Sequence, residues 1–80
     1  MNGRRVYDTD VFTPGDYGKH PGNGSWHGKP PGTDLLAGLR NHIVVEHEDG
    51  TITVSPSILV RGHSSQWHGY LERGVWREVS

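Results

Sequence analysis

Six histidines stand in eighty residues, at His20, His27, His42, His47, His63 and His68. Imidazole binds Zn, Cu or Fe well and titrates near neutral pH. No spacing among the six matches a zinc signature, and no His-x-x-x-His pair falls on a helical pattern. His63 and His68 flank one polar stretch and could converge with His27 or His47. A metal-dependent hydrolase would need three such ligands around an open position. The bland reading outweighs that one: surface and loop histidines making ordinary hydrogen bonds, with no metal and no cofactor.

The aromatic residues carry a sharper expectation. Trp26, Trp67, Trp76 and Tyr70 are many for so short a chain. With a turn at Glu72-Arg73-Gly74, strict alternation puts Tyr70 and Trp76 on the face opposite Leu71 and Val75. An exposed aromatic pair beside Arg61, Arg73 or Arg77 is a stacking platform for a base or nucleotide. The competing reading is that both faces of the sheet are covered. The candidate binding residues are Trp67, His68, Tyr70, Trp76 and Arg77, joined by Trp26 and His27 from the N-terminal part. The aromatics would stack, His68 would hydrogen-bond, and Arg77 would meet a phosphate or carboxylate. Nucleophilic catalysis has no comparable support. Ser55, Ser57, Ser64 and Ser65 lie near histidines and acids, but no Gly-x-Ser-x-Gly elbow is present. The glycines of residues 15–32 do not form a phosphate loop opening a helix. The chain is therefore not expected to be an enzyme.

These residues hang on one stretch, His42 to Val60. Ile43, Val44 and Val45, then Thr51, Ile52, Thr53 and Val54, are β-branched, which suits a pleated strand. Their period of two marks a half-buried sheet. Asp49-Gly50 supplies the turn between them. Pro56 lacks an N–H and belongs at an edge, a bulge or a break. Gln66 to Leu71 and Val75 to Val79 form a second hairpin. Thr33 to Arg40 reads as one or two helical turns, with Leu35, Leu36 and Leu39 as the apolar stripe. Val6, Tyr7, Val11 and Phe12 could add a short edge strand. Between Pro14 and Gly32, ten of nineteen residues are Gly or Pro, which predicts loop. The aromatic residues and histidines there suggest an arm that packs on the sheet or on a neighbouring subunit.

The expected fold class is mainly β: about five short antiparallel strands in a twisted sheet or small partly open barrel, one short helix, and a long Gly/Pro-rich N-terminal arm. The arm spans 1–32 and the β domain 33–80. The core is thin, since only 31% of residues are hydrophobic, and such a core has little stability to spare. The chain has no Cys, so disulfides cannot compensate, and a homo-oligomer or a bound ligand is expected instead. The net charge of −1 argues against a grip on long nucleic acid, which needs a basic excess. No apolar run is long enough to span a membrane.

Val45-Glu46-His47-Glu48-Asp49-Gly50-Thr51-Ile52-Thr53-Val54-Ser55-Pro56-Ser57-Ile58-Leu59-Val60 and Trp67-His68-Gly69-Tyr70-Leu71-Glu72-Arg73-Gly74-Val75-Trp76 resemble a group of short uncharacterised actinobacterial-phage proteins. More distantly, Ser55-Pro56-Ser57-Ile58 with His68 and the Arg73-Gly74 turn is similar to a broader bacterial and phage family of unknown function. In that family a Cys-His pair usually stands where Trp67-His68 stand here. The resemblance implies a phage origin and a setting in the host cytoplasm. The expected function is a non-catalytic phage accessory protein. Its partner would be a host protein or a small nucleotide-like ligand, as in the antagonism of a host defence. A virion structural or assembly protein and the histidine-ligated hydrolase are the alternatives.

Overall fold

The computed structural model describes residues 1–7, 12–22, 24–63 and 65–79. The strands are β1 (Arg4–Arg5), β2 (Asp16–Lys19), β3 (Trp26–Gly28), β4 (Ala37–Gly38), β5 (Ile43–Glu46), β6 (Ile52–Arg61), β7 (Gln66–Glu72) and β8 (Val75–Glu78). They form two sheets of four, each in sequence order, β1-β2-β3-β4 and β5-β6-β7-β8. Every pairing is antiparallel except β1 with β2, which is parallel.

The second sheet follows from alternation and turn chemistry. Ile43, Val44, Val45 and Glu46 oppose Ser55, Val54, Thr53 and Ile52. That register gathers Val44, Ile52 and Val54 on the inner face. The turn is closed by His47 and Thr51, with Gly50 at a φ of 87° that glycine accepts cheaply. Asp49 Oδ1 accepts from the Thr51 N–H and hydroxyl. Pro56 lies in a bulge, where the β6–β7 register shifts between Val54 and Ile58. The Ser55–Pro56 peptide is cis.

The second hairpin corrects the expected turn. Glu72 pairs with Val75, so the loop has two residues, Arg73 and Gly74, at φ of 46° and 76°. Two consecutive positive φ values make a type I′ turn, whose twist matches that of the strands. A three-residue loop would pair Leu71 with Val75. The shorter one pairs Leu71 with Trp76. A slip of one residue moves a strand's side chains to the opposite face. Trp76 therefore points into the core and not onto the face of Tyr70.

The first sheet replaces the expected structureless arm. Arg4 and Arg5 pair with Asp16 and Tyr17. Tyr17, Gly18 and Lys19 oppose Gly28, His27 and Trp26, and His27 and Gly28 oppose Gly38 and Ala37. The helix expected over residues 33–40 is absent, and β4 takes its place. Ala37 and Leu39 are buried while Leu36 is exposed. That is a period of two, and the leucine spacing served one sheet face instead of a helical stripe. Gly38 also lowers helix propensity.

The two sheets share one core. Tyr17, Ala37 and Leu39 come from the first half of the chain; Ile52, Val54, Ile58, Trp67, Leu71 and Trp76 come from the second. Trp76 is the joint. Its indole N–H donates to Gly15 O at 2.9 Å. Its ring lies over Gly28, where a Cβ would fall 2.9 Å from Cη2. Trp67 meets it edge to face, with ring centroids 5.4 Å apart. Residues 1–3 run along the free side of β8. Met1 and Trp76 exchange backbone hydrogen bonds, and the Gly3 N–H donates to Gly74 O. The chain then crosses into β1, covering one sheet edge and starting the other sheet. Unpaired sheet edges invite intermolecular pairing, and this one is covered from Gly74 to Trp76.

One buried carboxylate fixes the start of β2. Asp16 is 2% exposed. It accepts two bonds from the Arg4 guanidinium and two from Thr13, through its N–H and its hydroxyl. Burial pushes its pKa up, but the hydrogen bonds from Arg4 and Thr13 and the Arg4 charge outweigh it. The carboxyl is held below its ordinary range.

Candidate functional site

The structure sorts the sequence-derived candidates into three places. Trp67 and Trp76 are core residues, each 2% exposed. They are not available to stack on a ligand, and the expected Tyr70–Trp76 platform does not form. Trp76 is consumed by the joint between the sheets. Trp67 is buried with its indole N–H unpaired, which costs about 1–3 kcal/mol for a neutral donor.

His68, Tyr70 and Arg77 do come together, on the outer face of the second sheet. Tyr70 opposes Arg77, and the guanidinium carbon lies 5.2 Å from the ring centroid. Arg77 also reaches Glu72 at 2.6 Å, with both side chains more than half exposed. An exposed pair of this kind is worth at most about 1 kcal/mol, so it is easily exchanged for a partner's carboxylate. His68 opposes Leu59, and its Nε2 lies 2.9 Å from the Ser57 hydroxyl. A Ser–His hydrogen bond is half of a nucleophile–base pair. Among the described residues, however, no acceptor orients the other nitrogen of His68. The pair lies on the outer sheet face and lines neither of the cavities described below.

The same face is apolar at its margins. Ile43 is 68% exposed, Val45 and Leu59 49% each, and Val75 and Val79 41% each. Directly opposed residues share a face, so the register places Val45 beside Thr53, Ile43 beside Ser55, and Leu59 beside His68. The Val79 N–H donates to His68 O, which extends that row. These five are most of the eight large hydrophobic side chains that lie exposed among the described residues. Scattered exposure is ordinary; here it is concentrated on one sheet face.

Trp26 and His27 lie in the first sheet, apart from that face. They are successive residues on β3 and point to opposite sides of it. Trp26 is half-buried at the mouth between the sheets, against the core. Arg5 covers it, with the guanidinium carbon 4.8 Å from the Trp26 centroid and 4.7 Å from that of Tyr7. Arg5 also donates to Glu46 Oε2 and to Gly50 O, which fixes it to the turn of the second sheet. The Lys19 ammonium lies 5.8 Å from the Trp26 centroid. The neighbouring cavity, about 340 Å³, is lined by Trp26, Leu39, Arg40, His42 and Val44, with Gly24 and Ser25. Sequence reasoning missed Leu39, Arg40, His42 and Val44 as its walls. They are one short stretch of chain, and they meet Trp26 only through tertiary packing that no local pattern signals.

A second cavity of about 480 Å³ is lined by Glu46, His47, Glu48, Asp49 and Arg73. Its lining holds three carboxylates, an imidazole and a guanidinium, and no apolar side chain. The Asp49 carboxyl is held below its ordinary range by the Thr51 hydroxyl and N–H. His42 and His68 both reach Ser57, at its carbonyl oxygen and its hydroxyl, with no third ligating side chain beside them among the described residues. His42 Nε2 donates to Ser57 O, His47 bonds the Thr53 hydroxyl, and His20 Nδ1 accepts from the Gly22 N–H. Among the described residues no group of three His, Asp or Glu side chains is placed to hold a metal ion. No helix there is long and apolar enough to cross a membrane. Comparisons with protein-family models, with curated proteins and with solved structures find no match for this chain.

Proposed function

We propose that the chain is a non-catalytic binding protein, of phage origin, that acts on a host protein in the host cytoplasm. Its docking surface is the outer face of the β5–β8 sheet. The observation that carries this reading is the cluster of Ile43, Val45, Leu59, Val75 and Val79, exposed together around Tyr70, His68 and Arg77. Interfaces are enriched in aromatic and arginine residues, which Tyr70 and Arg77 supply here inside a ring of apolar side chains. Arg77, held only by an exposed Glu72, selects a partner with a carboxylate beside its own apolar patch. The phage setting rests on the two motifs quoted above, most of which lie in β5 to β8.

The test is site-specific photocrosslinking in infected cells. A photoreactive residue at Leu59 is expected to trap one host protein in high yield. The same residue at Leu36, exposed in the other half of the chain, should trap none. Leu59→Asp should abolish the association while leaving the fold intact. Crosslinks of the chain to itself at Leu59 would make this face a homo-oligomer interface instead. Equal labelling from both positions would remove the face from consideration.

A further inference from the structure

The mouth between the sheets has features the outer face lacks: a concave apolar wall and cations without partners. Trp26, Leu39 and Val44 supply the wall. Arg40 stands at its rim, and Lys19 stands by the indole. Neither Lys19 nor Arg40 has a carboxylate partner among the described residues. Arg5, by contrast, is neutralised by Glu46 and serves as a fixed backing for the Trp26 ring. His42 adds a polar atom whose state can be deduced. Its Nε2 faces a carbonyl oxygen, which only accepts, so Nε2 carries the proton. In the neutral ring Nδ1 is then an acceptor, and it is buried with no partner among the described residues. Buried polar atoms without partners are uncommon and call for an explanation.

We propose that this mouth binds a small aromatic anion of nucleotide type. The planar group packs against Trp26 and Val44, over the buried Leu39, and the phosphate is met by Lys19 and Arg40. Base–indole stacking and charge-assisted bonds to phosphate are the two interactions these residue types serve best. The volume of about 340 Å³ falls at the small end of the roughly 300–1,000 Å³ that ligand sites occupy. A long single strand fits less well. It needs a continuous basic track, whereas the carboxylates of Glu46, Glu48 and Asp49 line the cavity at the nearby turn. The site shares the binding-protein reading but uses a different surface, so either can fail alone.

The probe is adenosine monophosphate, followed by the three indole N–H signals in two-dimensional NMR of the full chain. Adenosine and inorganic phosphate serve as halves of the ligand, and the guanine, cytosine and uracil monophosphates as alternatives. The signal of Trp26 is expected to move saturably while those of Trp67 and Trp76 stay. The monophosphate should bind at least about tenfold more tightly than either half, since two sets of contacts act together. Arg40→Glu and, separately, Lys19→Glu should each weaken it about tenfold with the spectrum otherwise unchanged. Both side chains are exposed, so two independent variants guard against a folding defect. Leu59→Asp should leave the titration untouched. The proposal falls if no monophosphate moves Trp26, if phosphate alone binds as well, or if both charge reversals leave affinity intact.

Discussion

The two sheets contain four strands each, yet they are built by different means. In β5–β8 the strands run from four to ten residues and are joined by tight turns. Their inner face carries Ile52, Val54, Ile58, Trp67, Leu71 and Trp76. In β1–β4 the strands have two to four residues, and their inner face offers little beyond Tyr17 and Ala37. The second sheet brings its own apolar surface; the first is assembled on it. What holds the first sheet is specific: the Asp16 network, the backbone ladder of residues 1–3 along β8, and the seat of Trp76 on Gly15 and Gly28. A glycine-rich segment can thus be ordered by one aromatic side chain that it covers. The glycines permit the close approach that a Cβ would block.

The largest expected effect breaks that seat. Trp76→Ala should cost about 3–5 kcal/mol, as for other large-to-small core changes, against a total of about 5–15 kcal/mol for an ordinary domain. Urea unfolding followed by circular dichroism should show a large fall in the midpoint. Tyr70→Ala, on the outer face of the adjacent strand, should cost less than about 1 kcal/mol. Equal costs would mean that the inner and outer faces had been assigned wrongly.

Asp16→Asn comes next, at about 1–3 kcal/mol, because a buried acceptor of charge-assisted bonds is weakened. The pH dependence has a definite sign. The folded carboxyl is lowered from its unfolded value of 3.8. Its contribution is therefore fully present above that value and lost as pH falls through the lower folded one. Acid titration of stability should show a fall below about pH 4 that Asp16→Asn flattens. An unchanged acid limb in the variant would place the pH dependence elsewhere.

Gly28→Ala sharpens the comparison with a smaller change. The new methyl carbon would sit 2.9 Å from Trp76 Cη2, and overpacking of this kind costs about 1–3 kcal/mol. The smallest effect has the opposite sign. Arg73 holds a φ of 46° in the two-residue turn. Arg73→Asn should stabilise by about 0.5–1 kcal/mol, since Asn-Gly is favoured in type I′ turns. A loss of stability there would argue for a longer turn and the other register.

Much of β5–β8 was legible because its signals are local. Runs of Ile, Val and Thr at a period of two, with Gly at the turns, are visible without tertiary context. The miss was the length of one turn: a single residue between Glu72 and Val75 decided whether Trp76 lay inside or outside. The first sheet left no such trace. Arg4-Arg5, Asp16-Tyr17-Gly18-Lys19 and Ala37-Gly38 have no periodic apolar pattern, and their order comes from partners distant in sequence. Leu35, Leu36 and Leu39 suggested a helix because their spacing suits one. Only the packing of Ala37 and Leu39 shows that alternate residues were the buried set. Of the candidate site, the shared face of His68 and Tyr70 was readable from alternation. Arg77 was not, because a three-residue turn puts it with Val75 and Leu71 on the other face, and only the two-residue turn sets it opposite Tyr70. The walls around Trp26 were not, because Lys19 and Trp26 of the first sheet lie far along the chain from the segment 39–44 that they face.

The account depends on the N-terminal half being seated on the second sheet through Trp76. Hydrogen exchange of the Trp76 indole N–H tests this directly. Bonded to Gly15 O and buried, that proton should exchange only by global unfolding, at the rate of the most protected β6 and β7 amides. Exchange much faster than those amides, in a protein whose second sheet stays protected, would show the N-terminal half unseated and would contradict the shared core.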